Sequence, residues 1–337
     1  MNILVTGGAG FIASHVVDAY IAHGHDVVVV DNLSTGVREN LNPNATFFQI
    51  DLQDPKLEEV FRSHRFDVIN HHAAQIDVRK SVEDPSFDAT VNIVGGVKVY
   101  ELARRHGVKK IIFASTGGAI YGEQDYFPAD EEHPTRPISP YGIAKLSNEK
   151  YLYYYKEVYG IDHVILRYAN IYGPRQNPHG EAGVVAIFCN KLVAGAQPLI
   201  NGDGMQSRDY TFVADVARAN VLALQHKGSA IFNVGTGVEN DVNKVFKVLR
   251  NALHPRCPEQ HGPAKLGEQM RSVISYKKIE RALGWRPSVL IDEGLCQSVC
   301  IVRHIEGKTL GRLQAVFVTR SQFKAQIVAL RCQRALL

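Results

Sequence analysis

A glycine-rich turn between a buried strand and an amphipathic helix, at the very start of the chain, restricts its architecture more than any other stretch. Ile3 to Thr6 reads as a short apolar strand, Phe11 to His23 as a helix with apolar residues at helical spacing, and Val27 to Val30 as a second strand. This is a βαβ unit, whose crossover is expected to be right-handed. Gly8-Ala9-Gly10-Phe11-Ile12-Ala13 fits G-x-G-x-x-G/A, with Gly7 adding freedom at the turn. In that pattern the first glycine permits the tight turn, the second lets backbone approach a pyrophosphate, and the small third residue lets helix pack on strand. Gly7, Gly10, Phe11 and Ile12 are therefore expected to hold a dinucleotide at the positive end of the helix dipole. Asp31 ends the second strand, where a carboxylate accepts hydrogen bonds from ribose hydroxyls and repels a 2′-phosphate. Asn32, Leu33 and Ser34 bring no arginine, so NAD is favoured over NADP even with Arg38 nearby. Asp51 and Leu52 follow the next strand, where they can flank an adenine.

Further strands at Thr46 to Ile50, Asp67 to Asn70, Lys109 to Ser115 and His163 to Tyr168 alternate with helices from Pro55, Pro85 and Ser139. The alternation predicts an α/β fold with a doubly wound parallel sheet of the Rossmann type. After Tyr172 the chain turns to Gly- and Pro-rich loops and shorter elements, as expected of a smaller C-terminal α/β lobe. A helix from Val213 and a strand at Ile231 to Val234 look regular enough to return to the main sheet. The expected division is residues 1–170 with 211–235 as the dinucleotide-binding domain, and 171–210 with 236–305 as the substrate lobe.

Charge sharpens the partner class. Residues 307–337 hold six bases and no acid, which leaves 32 bases against 34 acids in the preceding 306 residues. The basic balance belongs to this C-terminal extension, and the body lacks the clustered positive charge that nucleic acid requires. No apolar run approaches the ~20 residues of a membrane span. Five cysteines with no CxxC spacing suit reduced thiols and argue against a metal centre, and an N-terminus without a basic leader suggests the cytoplasm.

Ser115 and Thr116 end a strand at the edge where ligands bind in open α/β sheets. Tyr141 and Lys145 stand four residues apart at the start of a helix and so share one face. A phenol of pKa ~10 needs a neighbouring positive charge to act as a base near neutrality, and Lys145 supplies one. Tyr141 is expected to take a proton from a substrate hydroxyl while Thr116 holds that oxygen.

Taken together, Thr6 to Ile12, Asp31-Asn32-Leu33-Ser34-Thr35-Gly36, Ser115 to Gly122 and Tyr141 to Lys145 resemble the extended short-chain dehydrogenase/reductases, specifically the UDP-glucose 4-epimerases. Leu166 to Arg175, Gly202-Asp203-Gly204 leading to Arg208-Asp209-Tyr210, and Phe232 to Gly237 extend the resemblance, which covers residues 1 to about 305. It implies that Ser34, Thr35, Gly36, Ala73, Ala74, Gln75, Asn92, Ser115 and Tyr168 line the cofactor. It also implies that Asn170 and Arg208 contact the nucleotide diphosphate and that Ser272 limits bulk beside the sugar. Lys265, in Lys265-Leu266-Gly267-Glu268, stands where the family has a phosphate-binding arginine, and Glu268 belongs to the same candidate substrate segment.

Relatives that eliminate water carry acids after the strand-end threonine, whereas here Gly117 and Gly118 follow. The expected reaction is therefore epimerisation of a UDP-hexose at C4 through a transient ketone, on glucose, galactose or their N-acetyl forms. A 4-reductase or dehydrogenase with net cofactor turnover is the rival reading, and a non-catalytic NAD sensor a distant one. Aromatic residues around Tyr151 to Tyr159 exceed what one core-facing stripe requires, and a two-fold homodimer interface would cover them. No function is assigned to 306–337.

Overall fold

The computed structural model describes residues 1–177, 183–265 and 269–306. Glu268 and residues 307–337 therefore lie outside the described residues. Residues 1–302 form one compact unit.

Its centre is a seven-stranded sheet built from β1 (Asn2–Thr6), β2 (Asp26–Asp31), β3 (Thr46–Gln49), β4 (Val68–His71), β5 (Lys110–Thr116), β6 (Asp162–Tyr168) and β7 (Ala230–Val234). The spatial order is β7-β6-β5-β4-β1-β2-β3, and every neighbouring pair is parallel. The doubly wound sheet predicted from the βα alternation is thus present, with the strand order reversing between β1 and β4. Strand ends differ from the sequence reading by a residue or two, as at Val68–His71 and Lys110–Thr116.

Each strand is apolar on both faces because each face meets a helical layer. Along β1, Ile3 and Val5 pack with α1 (Phe11–Ala22), whereas Leu4 joins the opposite core with α2 (Leu57–Ser63) and α3 (Gly95–Arg105). α4 (Pro140–Tyr159) covers that second face through Leu152 and Tyr155. α5 (Val213–Gln225) packs beside α1, so this later segment does return to the main sheet together with β7.

A smaller apolar core gathers Tyr172, Phe188, Leu192, Tyr210, Phe212, Val245 and Phe246. Short strands frame it: Ser207–Phe212 pairs with Asn170–Tyr172, Glu239–Asp241 and Arg271–Ser272. Asp209 ties this sheet to the end of β7. Its buried carboxylate accepts from Thr236 N, Thr236 Oγ1, Gly237 N and Ile274 N at 2.6–3.4 Å. Arg208 donates to the carbonyl of Ser207 at 2.8 Å.

Candidate active site

At the β1–α1 turn the left-handed position falls on Gly7, one residue before the first glycine of the G-x-G spacing. Gly7 takes the left-handed conformation, φ +73°, and a Cβ there would stand 2.7 Å from the Ala73 amide nitrogen. Gly8 is pressed against Val29, 2.6 Å from where its Cβ would be, so it is this glycine that lets backbone approach the sheet. Gly10 precedes α1, and no described side chain caps the helix. The first-turn N–H groups at Phe11 and Ile12 therefore present an anion site without competition from a cap.

Asp31 ends β2 beside this turn. Its Oδ2 accepts from Ala9 N at 3.0 Å and its Oδ1 from Leu33 N at 2.8 Å, which fixes the carboxylate and leaves lone pairs for further donors. A Cβ on Gly36 would come within 2.9 Å of Asp31 Oδ1, so only glycine lets the following loop pass. Asn32 donates to Asp51 at 2.6 Å, and Ser34 N returns to Asn32 Oδ1. Thr35 is exposed in this loop, and Leu52 is buried behind it in the α3-side core. Arg38 donates to Gln49 on β3 at 2.8 Å and lies over the Phe47 ring. These features fit a diphosphate with an unphosphorylated ribose.

The turn after β4 faces the glycine turn across the strand-order reversal. Thr6 Oγ1 lies 2.7 Å from His71 Nδ1 and accepts from Ala73 N at 3.2 Å, pulling Ala73 over Gly7. Ala74 and Gln75 continue this turn. Gln75 N donates to Asn92 Oδ1, and Asn92 Nδ2 donates back to the Gln75 carbonyl, at 2.8 and 2.9 Å. Asn92 is buried in a π-helical turn, Thr90–Val94, and its amide is engaged in shaping the Gln75 backbone.

Two further candidate residues turn their hydroxyls inward. Ser115 and Thr116 alternate across the pleat, so their hydroxyls point to opposite faces. Ser115 Oγ donates to Glu149 at 2.7 Å inside a buried pair in which Arg167 Nη2 bonds Glu149 at 2.6 Å. Only Thr116 brings its hydroxyl to the sheet edge, where it caps the Gly117–Ile120 turn by accepting from Ala119 N. Tyr168 is likewise turned inward: its hydroxyl accepts from Asn220 at 2.8 Å and lies 3.1 Å from His72 Nε2, in a network completed by Asn70 and Tyr20.

The start of α4 is locally determined. Ser139 caps it by accepting from Gly142 N, Pro140 presets the first turn, and Tyr141 and Lys145 follow one turn apart. A Cβ at Gly142 would strike the Ala119 carbonyl at 2.7 Å, so this glycine brings Tyr141 alongside the Thr116–Ala119 turn. Ala144, just before the lysine, is buried. Lys145 Nζ donates to the Ala114 carbonyl at 2.8 Å and lies 5.8 Å from the centre of the Tyr141 ring. Burial lowers its pKa to about 8, with the Asp88 charge opposing the shift.

Across the mouth, Gly118 is a point of convergence. A Cβ there would lie 3.9 Å from each of Thr116 Oγ1, Asn170 Oδ1 and Ser272 Oγ, with nothing nearer among the described residues. Gly117, by contrast, is backed by Ile274 at 2.7 Å and has no room for a side chain. Arg208 sits in register between Asn240 and Ser272, and Lys265 is exposed. The geometry thus collects Thr116, Asn170 and Ser272 around one space and Tyr141 with Lys145 beside it. Glu149, Arg167, Asp209 and Asp88 were not singled out from sequence. Glu149 carried one signal, its position four residues beyond Lys145 on the same helix face.

The model of the NAD dependent epimerase/dehydratase family matches residues 3–235. A putative UDP-glucose 4-epimerase of Methanocaldococcus jannaschii is 46% identical over 87% of this chain and 95% of its own length. A UDP-glucose 4-epimerase of Mycolicibacterium smegmatis is 44% identical over 90% and 99%. Among solved structures, the Thermotoga maritima UDP-glucose 4-epimerase with UDP-glucose superposes with a TM-score of 0.89 at 48% identity, covering 90% of this chain and 99% of that one. The Thermus thermophilus UDP-glucose 4-epimerase in complex with NAD gives 0.85 at 45% identity over the same shares. With the family model matched over most of the chain and relatives this similar nearly end to end, the chain belongs to the NAD-dependent epimerase/dehydratase family.

Proposed function

We propose that this chain is an NAD-dependent 4-epimerase of UDP-hexoses that interconverts UDP-glucose and UDP-galactose through a 4-keto sugar. The observation that carries the reading is the convergence of Thr116, Asn170 and Ser272 on Gly118, each 3.9 Å from where its Cβ would be, with Tyr141 and Lys145 at the adjoining start of α4. Gly7, Gly10, Phe11 and Ile12 would hold the NAD pyrophosphate, Asp31 with the Asn32–Gly36 loop and Asp51 the adenosine ribose and base, and the Ala73–Gln75 turn its inner edge. When bound, NAD supplies reversible oxidation at one carbon. Tyr141 takes the proton of the C4 hydroxyl and later returns it, Lys145 favours the phenolate by its charge, and Thr116 donates its hydroxyl hydrogen to the same oxygen. Inversion then requires the sugar to turn over while the diphosphate stays anchored. Asn170, Arg208 and Lys265 are assigned to that anchoring, Arg208 by the match of its fork to phosphate oxygens.

Ser272 is small and buried, and we assign it the place beside the 2-substituent of the sugar, where a small side chain suits a 2-acetamido group. A relative described as UDP-N-acetylglucosamine 4-epimerase, from Methanobrevibacter ruminantium, is 34% identical over 90% of this chain and supports testing those sugars. The dinucleotide-binding part is assigned to 1–170 with 211–235, and the nucleotide-sugar lobe to 171–210 with 236–305. Tyr151, Tyr153, Tyr154, Val158 and Tyr159 leave an exposed apolar strip along α4, which we assign to a two-fold homodimer contact. No helix among the described residues is long and apolar enough to cross a membrane, and the cysteines described are free, in keeping with a cytoplasmic enzyme. Conversion of UDP-glucose, with separate incubations of the N-acetyl sugars, tests the substrate assignment. Retention of NAD through desalting separates an epimerase from a dehydrogenase with net turnover.

A further inference from the structure

Asp88 lies in the short helix Pro85–Ala89, directly before the π-turn that carries Asn92, and both segments pack against α4, the helix of Tyr141 and Lys145. It is 1% exposed. Its Oδ1 accepts from Gln75 Nε2 at 3.0 Å and from Asn92 Nδ2 at 2.9 Å. Its Oδ2 is equally buried and has no hydrogen-bond partner among the described residues. A carboxylate is costly in such a place unless a positive charge compensates it. None of the described ion pairs involves Asp88. Burial raises its pKa, while the donors from Gln75 and Asn92 and the Lys145 charge act the other way. The dependence is mutual, since Asp88 is the charge that opposes loss of the Lys145 proton.

The other groups around Lys145 do not substitute for it. Burial and the Lys145 charge itself lower the pKa of His71 and of His72, at the end of β4, to about 3, so both are neutral. Glu149, on α4, is neutralised by Arg167. Tyr141 is the group Lys145 serves, and the Ala114 carbonyl and the Phe113 ring, which also meet the ammonium, are uncharged.

We propose that Asp88 is a positioning residue for the reaction: one carboxylate fixes the Gln75 turn and Asn92 on the cofactor side and provides the counter-charge to the Lys145 ammonium on the catalytic side. This rests on the reading of Lys145 as the charge that supports the Tyr141 phenolate. Asp88→Asn keeps the volume and one acceptor oxygen but removes the charge. In protein labelled with ¹⁵N-lysine, with the Lys145 Nζ signal assigned through Lys145→Met, the Lys145 midpoint should fall by about one pH unit. The alkaline limb of kcat should move down with it while KM stays nearly constant, and Asp88→Glu should restore both toward wild type.

An unmoved Lys145 midpoint in a folded Asp88→Asn protein would overturn the assignment. If that variant does not fold, the reciprocal measurement decides: Lys145→Met should raise the titration midpoint of the Asp88 carboxyl carbon, and no movement overturns the coupling. Wild-type protein inactive as an epimerase would overturn the functional reading. An active wild type with uncoupled Asp88 and Lys145 would overturn only the role of Asp88.

Discussion

Tyr141 stands at the second position of α4 with the Lys145 ammonium 5.8 Å from its ring centre, and its proposed duty reduces to moving one proton. Tyr141→Phe should lower kcat by roughly 10²–10⁴, the usual contribution of general acid–base catalysis, with nucleotide binding kept. Calorimetric titration with UDP beside steady-state rates separates the two, and a matching loss of UDP affinity would contradict the assignment. Asp31→Ala should weaken NAD binding by about 1–3 kcal/mol, because it removes the ribose acceptor and unseats the Ala9 amide it holds at 3.0 Å. Unchanged NAD affinity by fluorescence titration would remove Asp31 from the site. Thr116, Tyr141, Lys145 and Asp31 were legible in the sequence because each is fixed by a neighbour a few positions away: a strand end, a helix cap, a one-turn spacing. The inward turn of the Ser115 hydroxyl was not legible, since its partner Glu149 lies 34 residues on.

At the scale of elements, the turn after β4 joins the glycine turn to the buried His72–Tyr168–Asn220 network and carries a pH dependence of its own. Burial, with the Lys145 charge second, lowers the pKa of His71 and His72 to about 3. Between pH 6.5 and 3 the unfolded chain therefore binds protons that the folded one refuses. Stability is fully present above pH 6.5 and declines as pH falls through this window, on the order of a few kcal/mol by pH 4. Urea midpoints at pH 7.5, 5.5 and 4.5 measure this, and a flat series would mean that the histidines are charged in the native state. The βα alternation made the seven-stranded sheet readable, because each strand and helix announces itself locally. The clasp of Asp209 on Thr236, Gly237 and Ile274 could not be read, because it spans 27 to 65 residues and depends on the second lobe's geometry. The glycine turn was recognised from its spacing, and its left-handed position is Gly7, just before the G-x-G pair.

For the whole molecule, the exposed strip on α4 predicts self-association. Tyr153 is 61% exposed and Val158 55%, so Tyr153→Glu with Val158→Glu should leave the fold intact while shifting sedimentation from dimer toward monomer. A wild-type protein that sediments as a monomer at every concentration would remove the interface. Epimerisation is the central claim, and it is tested most directly without added cofactor. Purified protein is given UDP-glucose in one tube and UDP-galactose in another, and the sugars are followed by proton NMR while absorbance reports reduced nicotinamide. The account predicts that both tubes reach the same mixture with no steady accumulation of reduced nicotinamide. Failure of either sugar to convert, or accumulation of reduced nicotinamide in step with sugar oxidation once NAD is supplied, would contradict it.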